Sequence, residues 1–194
     1  MRAMLLMTLL GSVNLLAASE EMNVAICNPA GISETVVSQA KAEAEAVYRS
    51  AGVRIVWRDS AEFSIAASRE GAPWFFIRLR NDNLPRSLGP ASLDVMGRAF
   101  AEDHGGYMAD VYFQAVQATS KLYLYGDTGV LLGFVIAHEL GHLLLGPGHS
   151  LAGVMQAAWG LKQMCDMRQR RFKFPWDSAR RIRQALDART VYVR

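Results

Sequence analysis

The chain has 194 residues, of which 51% are hydrophobic and 20% are charged, and its formal net charge is +3. This length and composition are typical of one globular domain with a hydrophobic core, and they exclude a mainly disordered chain. So small a net charge gives no reason to expect a nucleic-acid partner.

The first 19 residues have the order of features that is typical of a secretory signal. Arg2 precedes an apolar run from Ala3 to Leu16, and small residues follow at positions 17–19. The alternatives are an N-terminal membrane anchor and a first buried strand, but the run is short and interrupted for a membrane span. We predict that residues 1–19 are a signal peptide and that the mature protein is secreted or periplasmic, without stable membrane association. Residues 20–194 then form a single domain.

The first half of this domain predicts two strands and one helix. Apolar, β-rich runs at Asn23–Cys27 and Val53–Trp57 flank a helical pattern that begins after Ser33 and ends at Gly52. A strand, a helix and a strand in this order predict a parallel pair of strands joined by a crossover helix.

Three further strands are predicted at Trp74–Leu79, Val95–Ala101 and Ala109–Phe113. The spacer Glu102–Gly106 contains two glycines and is typical of a hairpin-like turn. The charged, bounded sequence of Gly97–Phe100 suits an edge strand.

Two helices are predicted in the second half. Asp127 and Thr128 can cap a helix from about Gly129 to Leu145, which is apolar all round in its first half and therefore belongs inside the protein. Glycines at 146 and 148 end it. Pro175 can begin a final helix whose arginines are expected on a solvated face and not on a nucleic acid. These arginines are Arg180, Arg181, Arg183 and Arg189.

The two cysteines, Cys27 and Cys165, are far apart and belong to no C-x-x-C pair, which argues against a cysteine-rich zinc site. In an exported protein they could form one disulfide, and closing so long a loop would contribute about 4 kcal/mol to stability in the chain-entropy model. The alternative of two buried free thiols stays open, with the disulfide favoured.

Two histidines, His138 and His142, lie four residues apart on the predicted helix. This spacing places both imidazoles on one face, one turn apart, where they can share a metal ion. Glu139 is well placed to take a proton from a metal-bound water, because Zn²⁺ lowers the pKa of that water towards about 7. The alternative is a pair of core histidines, but three titratable groups in an apolar helix are costly without a function.

A catalytic zinc usually takes three protein ligands and keeps one position for water. No glutamate follows Glu139, so a downstream glutamate cannot complete the site. The remaining candidates are His149, Asp166, Asp177 and Asp187. His149 is best placed, because the glycines at 146 and 148 break the helix and can turn the chain back. The last histidine, His104, is expected to be a solvated turn residue.

The segment His138–His149, followed by Ser150–Met155, resembles the signature of the metzincin clan of zinc metallopeptidases, H-E-x-x-H-x-x-G-x-x-H followed by a Met-turn. The resemblance implies that three histidines bind one catalytic Zn²⁺ ion, namely His138, His142 and His149. It also implies that Glu139 is the general base and that Met155 underlies the metal.

The same resemblance implies a compact α+β fold of the matrixin or archaemetzincin kind. Such a fold has a twisted mixed sheet with a crossover helix, a central active-site helix and a short C-terminal subdomain that ends in a helix. The N-terminal subdomain would extend to about residue 146, and the C-terminal subdomain would be residues 147–194. Gly97–Phe100 and Gly105–Val111 look like the paired strands that matrix-type members place before the active-site helix, where the edge strand receives the substrate peptide.

The sequence departs from the signature in two places. Gly146 and His149 each come one residue late, and Leu145 stands at the expected glycine. Some members place a tyrosine two residues after the methionine as a further ligand, but Ala157 stands here, so we assign no such role.

Together these features predict a zinc-dependent metalloendopeptidase that hydrolyses peptide bonds of a peptide or protein substrate with a metal-activated water and Glu139 as general base. The alternatives are hydrolysis of a non-peptide amide, a zinc hydrolase completed by Asp166, and a non-catalytic zinc-binding secreted or envelope protein. The intact Glu139 argues against the last of these, because a structural zinc site needs no base.

Overall fold

The computed structural model describes residues 20–62, 71–82, 95–102, 105–123 and 126–191. The predicted signal peptide at residues 1–19 and the predicted solvated position of His104 lie outside the described residues, so both remain predictions.

A five-stranded mixed sheet forms the centre of the described part of the chain. Its strands are β1 (Glu20–Cys27), β2 (Val53–Arg58), β3 (Trp74–Arg80), β4 (Gly97–Glu102) and β5 (Gly105–Tyr112). They lie in the order β2-β1-β3-β5-β4. Four strands are mutually parallel, namely β2, β1, β3 and β5. The fifth strand, β4, runs antiparallel to β5 at the edge of the sheet. The predicted parallel pair and the predicted edge strand are therefore confirmed.

Five helices accompany this sheet within the same ranges. They are α1 (Glu34–Ser50), α2 (Phe113–Leu122), α3 (Thr128–Leu145), α4 (Leu161–Arg168) and α5 (Trp176–Val191), and a 3₁₀ turn lies at Ser60–Glu62. α1 is the predicted crossover between β1 and β2. The sequence predicts neither α2 nor α4, and its strand at Ala109–Phe113 runs one residue too far.

The start of α2 explains this error. The aromatic and β-branched run that forms β5 continues into Phe113, and the N-cap residue, Tyr112, makes no side-chain capping hydrogen bond. Nothing in the local sequence therefore marks the change from strand to helix. The helix is instead held by packing, because Phe113, Ala115 and Val116 are buried.

α3 is the central helix of the core and packs closely against α1. A Cβ atom at Gly133 would lie 2.6 Å from the backbone oxygen of Ala40 and 2.6 Å from Cβ of Glu43, so only glycine fits at this crossing. The Tyr48 hydroxyl of α1 donates a hydrogen bond to the Ala137 carbonyl at 3.2 Å. By length and composition α3 could cross a membrane, but 78% of it is buried inside the protein, as expected for a core helix.

Both cysteines are free, so the favoured disulfide is wrong. Cys27 ends β1 within the sheet, whereas Cys165 is exposed on α4. A disulfide requires Cα atoms within about 7 Å of each other, and sequence alone carries no information on that distance.

α5 packs its predicted apolar stripe into the core, where Ala179, Ile182 and Leu186 are buried. Two of its arginines do not lie on a solvated face. Arg183 donates to the Ala51 carbonyl at 2.6 Å, and Arg189 donates to the carbonyl of Leu143 at 2.7 Å. The expectation of a solvated arginine face is thus wrong for this half of the set. These long side chains satisfy backbone carbonyls near the ends of helices, which have no partner within the helix.

We predict that Arg189→Met destabilises the protein by about 1–3 kcal/mol, because the carbonyl of the buried residue Leu143 would lose its charged donor. The thermal midpoint should fall by several degrees, since about 1 kcal/mol corresponds to 2–4 °C in a domain of this size. Arg181→Met, at an exposed position of the same helix, is the control and should change little. Equal midpoints for the two variants would show that the Arg189 contact contributes nothing.

Candidate metal centre

The C-terminal half of α3 carries the two histidines of the predicted site. The helix begins where the Asp127 carboxylate accepts a hydrogen bond from the Val130 backbone N–H at 3.1 Å. From this start the helix continues without interruption past His138 and His142. Their Nε2 atoms are 3.0 Å apart, one helical turn from each other.

The third histidine reaches the same place after the chain reverses direction. Gly146 has a φ of +85°, and its N–H donates to the His142 carbonyl at 2.9 Å, which ends α3. The chain then returns, so that the potential ligand atoms of His138, His142 and His149 all lie within 4.8 Å of one another. The longer spacing to His149 is therefore compatible with a shared ion, because the extra residue falls in the turn.

The hydrogen bonds of the Nδ1 atoms show which ring nitrogen of His138 and His142 faces the centre of the histidine cluster. His138 Nδ1 lies 2.7 Å from the Val154 carbonyl, and His142 Nδ1 lies 3.0 Å from the Gly146 carbonyl. A carbonyl oxygen only accepts, so each Nδ1 carries the proton and donates. Each Nε2 therefore presents a lone pair to the centre, as in most protein zinc sites. Two lone pairs at this separation repel each other unless a cation lies between them, so the donor set fits a zinc ion.

Burial keeps these imidazoles in the form that binds a metal. It lowers the pKa of His138 to about 4, against a smaller opposing effect of the Val154 hydrogen bond. Burial also lowers the pKa of His142, and neighbouring His149 adds to this effect. Both rings are therefore neutral at pH 7, so protons compete little with a metal ion.

Glu139 is a buried carboxyl beside this cluster, with 4% of its surface exposed. Burial raises its pKa to about 8, and a backbone hydrogen bond from Ala99 of β4 partly offsets that rise. A carboxyl with a pKa in this range can both take and release a proton near neutral pH, as a general acid–base group must.

Met155, which the resemblance places under the metal, packs against the face of α3 that carries the first two histidines. Its side chain is 2% exposed, and a Cβ atom at Gly141, between the two histidines, would overlap Met155 Sδ and lie 3.2 Å from its Cε. The turn that presents it is closed by the Ser150 N–H, which donates to the Met155 carbonyl at 2.8 Å. Gly141 thus allows the methionine to pack against the helix face that carries the histidines.

The aspartates that were alternative ligands lie elsewhere. Asp166 accepts from Lys162 at 2.7 Å and from Arg171 at 3.2 Å. The Lys162 hydrogen bond is the larger of the effects that lower the pKa of Asp166. Asp177 and Asp187 are exposed on α5. Among the described residues, the cluster contains only the three histidines.

A cleft of about 620 Å³ opens onto the histidines and Glu139. β4 lines part of the cleft, and the segment Gln156–Trp159 lines another part, where the Trp159 ring packs edge-on against His138 at 5.4 Å between centroids. The end of α2 contributes Thr119, Leu122 and Tyr123. None of these three residues is a site residue predicted from the sequence, because the sequence does not predict α2. Leu122 lines the cleft and is 74% exposed. Nothing in the sequence distinguishes it from a leucine of the core.

No protein-family model and no curated protein sequence matches this chain. Among solved structures, it is similar to the crystal structure of archaemetzincin from Methanopyrus kandleri. The TM-score is 0.55 at 17% sequence identity, and the alignment covers 89% of this chain and 99% of that chain. This chain therefore has an archaemetzincin-like fold, and the α+β fold predicted from the motif is confirmed.

We predict that His149→Ala loses most of the bound zinc at pH 7, because two imidazoles with no third ligand hold the ion far more weakly. Asp166→Ala is the control, since Asp166 is engaged with Lys162 and Arg171. Both can be measured as zinc content per chain after gel filtration. Loss of zinc from the Asp166 variant, with retention by the His149 variant, would contradict the ligand assignment.

The pKa of Glu139 gives a second prediction. A pKa of about 8 means that most chains carry a protonated Glu139 at pH 7 without metal. A cation at the neighbouring histidines favours the carboxylate and lowers this pKa, so zinc binding should release the proton. Titration calorimetry in buffers of different ionisation enthalpy should show about one proton fewer released by Glu139→Gln than by the wild type. Equal proton release from both would mean that Glu139 is already ionised.

Proposed function

We propose that this protein is a zinc-dependent metalloendopeptidase in which His138, His142 and His149 hold the ion and Glu139 is the general base. The observation that carries the proposal is the convergence of three imidazoles beside a buried carboxyl, within a cleft whose wall is an edge strand. The archaemetzincin-like fold supports zinc metallopeptidase chemistry in general.

When bound, zinc acts as a Lewis acid, which acidifies a water molecule and polarises the carbonyl of the scissile bond. The protein's own groups carry the protons. The Glu139 carboxylate takes a proton from the attacking water and passes it to the leaving amine. The burial of Glu139 suits this proton transfer. Buried surroundings disfavour the carboxylate and raise its pKa, so the carboxylate is a stronger base.

The hydrogen-bond pattern of β4 supports a peptide as the substrate. The Tyr112 N–H donates to the Met96 carbonyl at 2.9 Å, so this opposed pair is hydrogen bonded between the strands. Hydrogen-bonded and non-hydrogen-bonded residue pairs alternate along an antiparallel pair of strands. Gly97 and Ala99 therefore belong to non-hydrogen-bonded pairs, and their backbone N–H and C=O groups point away from β5. An extended substrate can pair through its own backbone with the outward groups of Gly97 and with the Ala99 carbonyl, whereas the Ala99 N–H is bonded to Glu139. Recognition of this kind needs no chain terminus, which favours an endopeptidase.

The cleft also suggests which side chains are accepted. Apart from the three histidines, the only acidic or basic side chains among the described lining residues are Arg98 and Glu139. Apolar groups such as Val95, Met96 and Leu122 form much of the remainder. Substrates with uncharged side chains next to the scissile bond would avoid the cost of burying an unpaired charge.

We predict that the zinc-loaded protein cleaves casein or a peptide library, that a chelator abolishes cleavage, and that Glu139→Gln lowers kcat by about 10²–10⁴-fold. The zinc content of the variant should stay near that of the wild type, because Glu139 is not assigned as a ligand. Glu102→Gln, at an exposed position of β4, is the matched control and should keep wild-type activity. Undiminished cleavage by the Glu139 variant would contradict the proposed mechanism.

A further inference from the structure

Gly97 on β4 lies directly against the side chain of Glu139. A Cβ atom at position 97 would be 2.6 Å from Cδ and 2.7 Å from Cγ of Glu139, closer than real Cβ atoms approach a neighbour. Gly97 does not have a positive φ, so its backbone would accept any residue. The requirement for glycine at this position is therefore one of space.

The neighbouring residues on β4 show that this requirement is local. Gly97, Ala99 and Ala101 alternate with the exposed residues Arg98 and Phe100, so the three small residues share the inward face of the strand. The two alanines carry the methyl group that position 97 lacks. The missing methyl coincides with the position where the Glu139 side chain passes.

Glu139 has little freedom to move away from an added methyl group. Its carboxyl is buried, and its backbone belongs to the middle of α3 between two histidines of the cluster. The contact at Gly97 involves Oε1, Cδ and Cγ of Glu139, so rotation of the carboxyl group alone would not relieve it. A methyl group at position 97 must therefore either move the carboxyl or push β4 outward.

We propose that Gly97 is a positioning residue for Glu139: the absent side chain leaves the space in which the carboxyl lies flat against the edge strand, beside the Ala99 N–H. This inference rests on the proposed function in one respect, the role of Glu139 as the base. It adds that the edge strand has two tasks: its Ala99 N–H and the space at Gly97 orient the base, and its remaining outward backbone groups can pair with a substrate.

The first test needs no activity. In the metal-free protein, Gly97→Ala should lower the thermal midpoint by about 3–8 °C, the range expected for overpacking a buried site in a domain of this size. In a Glu139→Ala background the space is vacated, so the same substitution should change the midpoint by less than about 1–2 °C. This thermodynamic cycle isolates the contact between the two residues.

The second test is kinetic. Gly97→Ala should keep its zinc content and lower kcat by about 10²-fold, with KM within about twofold, because a base displaced by about 1 Å is poorly oriented for the proton transfer. In a Glu139→Ala background, which lacks both Cγ and Cδ, the substitution should cause no further loss of the residual activity. Gly160→Ala is the control, because its Cβ atom would be 3.8 Å from the nearest neighbour, Oε1 of Gln163.

The outcomes separate this inference from the proposed function. If Gly97→Ala lowers the midpoint equally with and without the Glu139 side chain, or if both variants fail to fold, β4 itself rejects the methyl group and the inference is wrong. If only the variant that retains Glu139 fails to fold, the inference is supported. If the wild type cleaves no peptide while the stability cycle shows coupling, the proposed function fails and the positioning contact stands.

Discussion

The site depends on the burial of α3 against α1 and against strands β4 and β5 of the sheet. The helix is apolar on all sides, and close contacts with α1, such as the one at Gly133, leave it no freedom to shift. Its C-terminal turns nevertheless carry His138, Glu139 and His142. A helix that is fixed so firmly by packing holds these polar groups in positions that do not depend on a bound ligand.

Burial also determines the protonation states of these groups. Without a cation, the low dielectric surroundings favour neutral histidines and a neutral Glu139, as the lowered and raised pKa values show. Lone pairs from neutral imidazoles are what a divalent metal requires. Burial makes these groups costly to charge, and it thereby keeps the imidazoles in the neutral form that binds a metal ion. A bound cation would in turn favour the ionised form of the adjacent carboxyl.

The elements with strong local patterns could be predicted from the sequence. The runs of β1 and β2, the 3.6-residue period of α1, and the capped, apolar α3 each carry their own signal, and the spacing of His138 and His142 follows from helix geometry. The glycine turn made His149 the best candidate for a third ligand. The structure brings His149 to the other two histidines despite the extra residue.

What could not be predicted depends on contacts between distant parts of the chain. α2 begins at Phe113 without a capping signal, so its contribution to the cleft was missed. Arg189 looks like any surface arginine until the fold brings it to the Leu143 carbonyl. Loop-closure entropy favours a disulfide between Cys27 and Cys165, but it does not depend on how far apart the folded elements hold the two residues. The closeness of Gly97 to Glu139 likewise requires the register of β4 against α3, which neither segment encodes alone.

The central claim is that three imidazoles, and no other protein side chains, bind one zinc ion. X-ray absorption at the zinc edge of the loaded protein tests it most directly. The account predicts a first shell of three imidazole nitrogens at about 2.0–2.1 Å, completed by oxygen from water, with no sulfur at about 2.3 Å. His149→Ala should then reduce the imidazole count from three to two. A shell with two imidazoles and a protein carboxylate, or one that contains thiolate sulfur, would contradict it.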